Sequence, residues 1–246
     1  PMTEDTIFDL ASLTKAVATA TAVLQLAERG RLELDAPASR YWPAFGDVGK
    51  AGITLRQLLN HTSGLPSGLA ARSELRSHAT VLHAIEIMPP IGEPGRNVIY
   101  SDLNYVALGE LVQRVSGMGL DAWCAQHIFR PLGMRDTAFR PSHRAIARIA
   151  PTIVRNGRWL RGNVHDPTAA ALGGVSGNAG LFSTADDLAL FARMLLNGGS
   201  LGGHQILQPD SVALLLTPDG STAVEATRTL GWEVQAPLIP NRYRAP

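Results

Sequence analysis

Apolar positions recur along the chain at two different spacings. Over residues 12–29, Leu13, Ala16, Val17, Ala20, Leu24 and Ala27 follow the i, i+3, i+4, i+7 period of one helix face, and Gly30 is placed to end that helix. A polar stretch with Pro37 and Pro43 follows. Thr54-Leu-Arg-Gln57 has the spacing of a capping box, in which a hydroxyl and an amide satisfy each other's exposed backbone. It predicts a short helix through Leu58 and Leu59 that stops in the turn-rich Asn60-His-Thr-Ser-Gly64. Leu103, Val106, Ala107, Leu111 and Val115 predict a helix over 102–115, with Ser101 as its N-cap and Gly117 closing it.

The period then changes. Ile153–Leu160 reads as a hairpin turning at Asn156-Gly157, a pair suited to tight β-turns. Residues 171–180 are rich in glycine and small residues and read as a loop. Thr184, with Asp187 three residues on, caps a helix over 185–196 whose apolar face is Leu188, Phe191, Ala192 and Leu195, and Gly198 ends it. Thr229–Gln235 alternates like a strand. Helices outnumber strands, and no repeat of solenoid period is present.

Composition narrows the class. Of 246 residues, 45% are hydrophobic and 17% charged, enough apolar surface for a sizeable core. With 22 basic and 21 acidic residues the net charge is +1, so no basic excess points to nucleic acid. No apolar run approaches the roughly 18 residues of a membrane span. The single cysteine, Cys124, excludes an internal disulfide and a multi-cysteine zinc site and reads as a core residue. The seven histidines form no H-E-x-x-H pair, so neither metal nor other cofactor is expected. One bias stands out: 20 of the 22 basic residues are Arg, and the two lysines are Lys15 and Lys50. Each lysine therefore needs a reason, because Lys can do what Arg cannot, namely give up its proton.

The candidate chemistry begins at one of them. Ser12-Leu-Thr-Lys15 opens the first helix, and an i, i+3 pair shares a helix face. A neutral Lys15 would take the serine proton. A free lysine titrates near ~10.4, so a neutral one at pH 7 costs roughly 4 kcal/mol. The alternative is a charged Lys15 that assists another base. Tyr100-Ser-Asp102 precedes the 102–115 helix and offers that base, since a tyrosine beside a charged lysine can act as a phenolate. The structural alternative is a tyrosine merely packed at a helix start.

Four segments, in this order and spacing, resemble the serine β-lactamase and penicillin-binding-protein superfamily, whose S-x-x-K signature marks a serine nucleophile. They are Phe8-Asp-Leu-Ala-Ser-Leu-Thr-Lys15, Leu58-Leu-Asn-His-Thr-Ser-Gly-Leu65, Tyr100-Ser-Asp-Leu-Asn-Tyr105 and Gly173–Thr184. They are most similar to the branch of class C β-lactamases, D-alanyl-D-alanine carboxypeptidases and related esterases, over about residues 5–235. The resemblance implies an α+β, β-lactamase/transpeptidase-like fold: an antiparallel sheet flanked by helices, with a mostly helical subdomain over about residues 31–200. It implies Ser12 as the acylated nucleophile, with Lys15 and Tyr100 sharing the base work and the Ser12 N–H forming half of an oxyanion hole. Substrates would be cell-wall-type D-amino-acid peptides, β-lactams or small esters, and the location periplasmic or secreted.

Two departures qualify the match. The Lys/His-Thr-Gly motif of the family is absent; His61-Thr-Ser-Gly64 looks similar but lies too early and in a loop. Together with the abrupt ends, this predicts that residues 1–246 are one incomplete domain whose remaining strands lie elsewhere. Asp102 stands where Asn is commoner; it would pair with Lys15 and keep it charged, which favours Tyr100 as the base. Asp102 and His165, the latter between the hairpin and the glycine loop where the family lines its cleft, are substrate-binding candidates; a surface histidine is the alternative. Ser176-Gly-Asn178 reads as a turn, Arg96 as a structural bond donor, and no G-x-S-x-G elbow exists. The rival from another class is a non-catalytic module that keeps the fold and binds peptidoglycan or a partner.

Overall fold

The segment over 12–29 becomes the spine of the molecule. The computed structural model describes residues 2–69, 77–155, 157–218 and 228–233. A turn at Ala11 and Ser12 leads into a helix whose stretch Lys15–Ala20 is π-helical and whose remainder is α1 (Thr21–Glu28). The Thr21 hydroxyl donates to the carbonyl of Ala16 at 3.1 Å, five residues back across the wide turn. The pattern predicts one apolar stripe, but every residue from Thr14 to Leu26 is buried, while Leu13 is 46% exposed. The reason is size. Ala16, Ala18, Ala20 and Ala22 leave room for neighbours on all sides, and such a helix lies inside the core rather than on it.

Around this spine the caps behave as their local chemistry dictates. Thr54 and Gln57 bond reciprocally at 3.2 and 3.0 Å to start α2 (Leu55–Leu59). Ser77 caps α3 (His78–Glu86). Next come α4 (Asp102–Ser116), closed by Gly117 in the left-handed region, α5 (Leu120–Cys124), a π-helical stretch Ala125–Phe129, and α6 (Arg130–Leu132). Asp166 caps α7 (Pro167–Ala171), Thr184 accepts from the Asp187 N–H to cap α8 (Ala185–Leu196), and α9 spans Pro209–Leu216.

Strands are short. β1 (Phe8–Asp9), β2 (Ala138–Phe139) and β5 (Leu181–Ser183) form an antiparallel sheet in the order β1-β5-β2, with Phe8 opposite Ser183 and Phe139 opposite Leu181. β3 (Val154–Arg155) pairs with β4 (Arg158–Trp159) as the expected hairpin; Asn156 lies outside the described residues. β6 (Ser200–Leu201) and β7 (His204–Gln205) make a second hairpin. The strand expected over 229–235 is instead a tight turn as far as it is described. Arg228 bridges Glu233, and the Thr229 hydroxyl accepts from the Trp232 N–H at 2.9 Å, so side-chain bonding overrides the alternation. Val234, Gln235 and the tail over 238–246 lie outside the described residues.

Candidate active site

The nucleophile candidate sits on a strained elbow. β1 is pinned where Leu10 N–H donates to Leu181 O at 2.9 Å. Ala11 then takes φ +48°, in the left-handed region that disfavours a Cβ, and its N–H is held by Asp9 Oδ1 at 2.9 Å. The sharp turn leaves Ser12 exposed and sets Lys15, 3% exposed, one turn below it. Lys15 Nζ donates to Ser12 Oγ at 2.9 Å and to the Asn178 carbonyl at 3.1 Å, and pairs with Asp102 Oδ1 at 2.7 Å. Two of the ammonium donors are thus spent on hydrogen bonds, and the contact with Asp102 is an ion pair. Asp102 Oδ1 is itself buried and accepts no hydrogen bond among the described residues, so the close ion pair with Lys15 is what offsets its burial.

Tyr100 and Asp102 reach this point because they flank the start of α4. The Tyr100 ring is 39% exposed, with Lys15 Nζ 4.9 Å from its centroid and the Arg228 guanidinium 5.2 Å from it. Ser101 occupies the N-cap position as expected, but its hydroxyl does not cap. It donates instead to Pro66 O at 2.6 Å, in the loop that follows His61.

The glycine loop closes the other side. A Cβ on Gly177 would lie 1.8 Å from the Tyr105 carbonyl, so only glycine lets the loop touch α4. Thr19 Oγ1 donates to Gly177 O at 2.8 Å, and Leu181 N–H donates to Thr14 Oγ1 at 3.1 Å. Ser176 and Asn178 form the expected turn through a 2.6 Å side-chain bond, yet the Asn178 carbonyl reaches Lys15, a contact that no sequence pattern marks.

His165 stands one step away. Its N–H and Nδ1 lie 2.9 and 3.0 Å from Oδ2 of buried Asp9, three residues before Ser12, and its side chain is partly exposed. Asp166 accepts from Asn178 Nδ2 at 3.2 Å, which ties this segment to the loop behind Lys15. Arg96 makes an exposed pair with Glu93, and Cys124 is buried, its thiol pushed up by burial. Sequence reasoning missed Arg228, which belongs to no motif. Among the described residues no His, Cys, Asp or Glu cluster could hold a metal, and no helix is long and apolar enough to cross a membrane.

On one helix a serine is thus held by a buried lysine, and the Tyr100 segment and the glycine loop converge on that lysine. The chain belongs to the β-lactamase family, whose model matches residues 1–240, and it has the β-lactamase/transpeptidase-like fold. It is 34% identical over 261 aligned residues to an Escherichia coli (strain K12) protein named "Putative D-alanyl-D-alanine carboxypeptidase"; the match covers 94% of this chain and 59% of that protein. The chain thus spans about six tenths of the length of the curated relatives it matches. Among solved structures, a class C β-lactamase from Rhodobacter sphaeroides is 26% identical with a TM-score of 0.70, covering 87% of this chain and 57% of the other. A penicillin-binding protein homologue from Caulobacter crescentus, 24% identical with a TM-score of 0.74 over 95% of this chain and 67% of its own, shares the fold.

Proposed function

We propose that this chain carries the nucleophile half of a serine hydrolase that forms an acyl-enzyme at Ser12. The observation that carries the reading is the Lys15 ammonium, hydrogen-bonded to Ser12 Oγ and ion-paired with Asp102. Asp102 keeps Lys15 charged, so the lysine polarises the hydroxyl and leaves proton transfer to Tyr100. Tyr100, as the phenolate, takes the Ser12 proton while Oγ attacks the carbonyl carbon. Lys15 and Arg228 at its ring offset the negative charge. The proton then passes to the leaving nitrogen or oxygen, the acyl–serine bond replaces the scissile one, and water releases the acid by the reverse sequence.

Family membership supports substrates of the cell-wall peptide or β-lactam type, and small esters share the chemistry. The setting would be periplasmic or secreted. His165, fixed by Asp9, is proposed to contact the substrate at the rim. The remaining sheet and the Lys/His-Thr-Gly motif are proposed to come from sequence outside these 246 residues, so that they form one incomplete domain.

A fluorescent penicillin or a serine-directed phosphonate, applied to the full-length protein, should add its acyl or phosphonyl group to the peptide containing Ser12. Mass spectrometry after digestion reads the site. No adduct with either reagent would favour a non-catalytic peptidoglycan-binding module.

A further inference from the structure

His61 has no part in the acyl transfer described above, yet it is built into the site in an unusual way. It is 3% exposed and takes φ +63°, one of four side-chain-bearing residues in the left-handed region among the described residues. Such a backbone costs of order 1–3 kcal/mol and persists only where its surroundings over-determine it. Here they do. The His61 carbonyl accepts from the Ile99 N–H at 2.9 Å, and Nδ1 accepts from the Ser101 N–H at 3.0 Å. His61 therefore grips the chain on both sides of Tyr100.

Its ring lies 4.4 Å from the Tyr100 ring, tilted 31°, and 5.1 Å from that of Tyr105. Because Nδ1 accepts from a backbone amide, the imidazole is neutral with its proton on Nε2. The loop that carries it is fixed too. A Cβ on Gly64 would lie 2.1 Å from the Gly92 carbonyl, and Asp102 N–H donates to Ser67 O at 2.8 Å.

We propose that His61 is a positioning residue for Tyr100: its Nδ1 acceptor and left-handed backbone lock Ile99 and Ser101 so that the phenol is held against Lys15. This rests on the reading of Tyr100 as the base. The Thr-Ser-Gly that follows His61 resembles the family's third motif only in letters; its work is to shape the loop behind the tyrosine.

The test uses the full-length protein and the rate of Ser12 acylation by a fluorescent penicillin. His61→Gly suits the backbone better than histidine but removes the acceptor. His61→Asn tolerates the left-handed region and returns an acceptor oxygen near the Nδ1 position. His61→Gly should slow limiting acylation at least about tenfold, with the half-saturating concentration changed less than about threefold. His61→Asn should stay within about threefold of the parent. The same His61→Gly change made in Tyr100→Phe should add no further loss, because its effect runs through the tyrosine. Equal rates for the Gly and Asn variants, or a His61→Gly loss that persists in full on a slow Tyr100→Phe background, would overturn the positioning role alone. A Tyr100→Phe protein as fast as the parent would overturn the base reading and this proposal with it.

Discussion

The Arg bias of the chain demands a reason for each lysine, and Lys50 has one: it is fully buried and donates to the carbonyls of Asp47, Glu86 and Met88 at 3.0, 2.7 and 2.9 Å. Burial pushes its ammonium below the usual lysine value. Three carbonyls converging on one nitrogen suit a compact ammonium and not a planar fork. Lys50→Arg should therefore lower the unfolding free energy by about 2–4 kcal/mol in urea and leave Ser12 acylation per folded molecule unchanged. An unchanged midpoint would refute it. Asp102→Asn, by contrast, removes the charge opposite Lys15 but leaves an acceptor. Ser12 labelling should survive while thermal stability falls, and a lost label would show that the carboxylate itself is needed.

At the same scale, His61 sets a pH dependence. Burial, and then the charges of Arg228 and Lys15, hold its imidazole well below the usual 6.5; the Tyr100 and Tyr105 rings also face it. Below 6.5 the unfolded chain binds a proton there that the folded one does not. Stability is therefore lost as pH falls through that value. The urea midpoint should drop between pH 7 and pH 5, and His61→Asn should drop less. Parallel curves for the two proteins would contradict the assignment.

At the scale of elements, what the sequence makes legible is what local chemistry decides. The Thr54 and Thr184 caps, the Gly117 stop and the Val154–Trp159 hairpin each depend on residues within a few positions of one another. What escapes is decided at a distance. The spine is buried all round because α4 and α5 pack on its alanines, and the Asn178 carbonyl meets Lys15 because Gly177 lets a loop from far along the chain lie on Tyr105. Gly177→Ala should test that contact. Its methyl has no room, so the loop must shift, costing about 1–3 kcal/mol and slowing acylation as Lys15 loses an acceptor. Acylation at the parent rate would mean that the Asn178 carbonyl is dispensable.

At the scale of the molecule, the order of Ser12, Lys15, Tyr100 and Asp102 along the chain carries most of the reading. The structure brings Ser12, Lys15 and Asp102 into bonding contact, with the Tyr100 ring beside the lysine. His165 was legible only as a polar residue before a loop; its link to buried Asp9 needed the fold. Arg228 was not legible, since the tight turn over Thr229–Trp232 reads as a strand until its side-chain bonds are seen.

Lys15 is proposed to serve Ser12 as a buried ammonium fixed in place, and the rate of Ser12 acylation reads that role. Penicillin acylation of the full-length protein is compared for the parent, Ser12→Ala and Lys15→Arg, each checked for folding by circular dichroism. Arg keeps the charge but cannot place one nitrogen between Ser12 Oγ, Asp102 and the Asn178 carbonyl. No labelling is expected for Ser12→Ala, and at least about a hundredfold slower labelling for folded Lys15→Arg, in line with the roughly 10²–10³-fold cost of removing one preorganised electrostatic donor. Labelling of Lys15→Arg at the parent rate, or labelling that survives Ser12→Ala, would contradict that role.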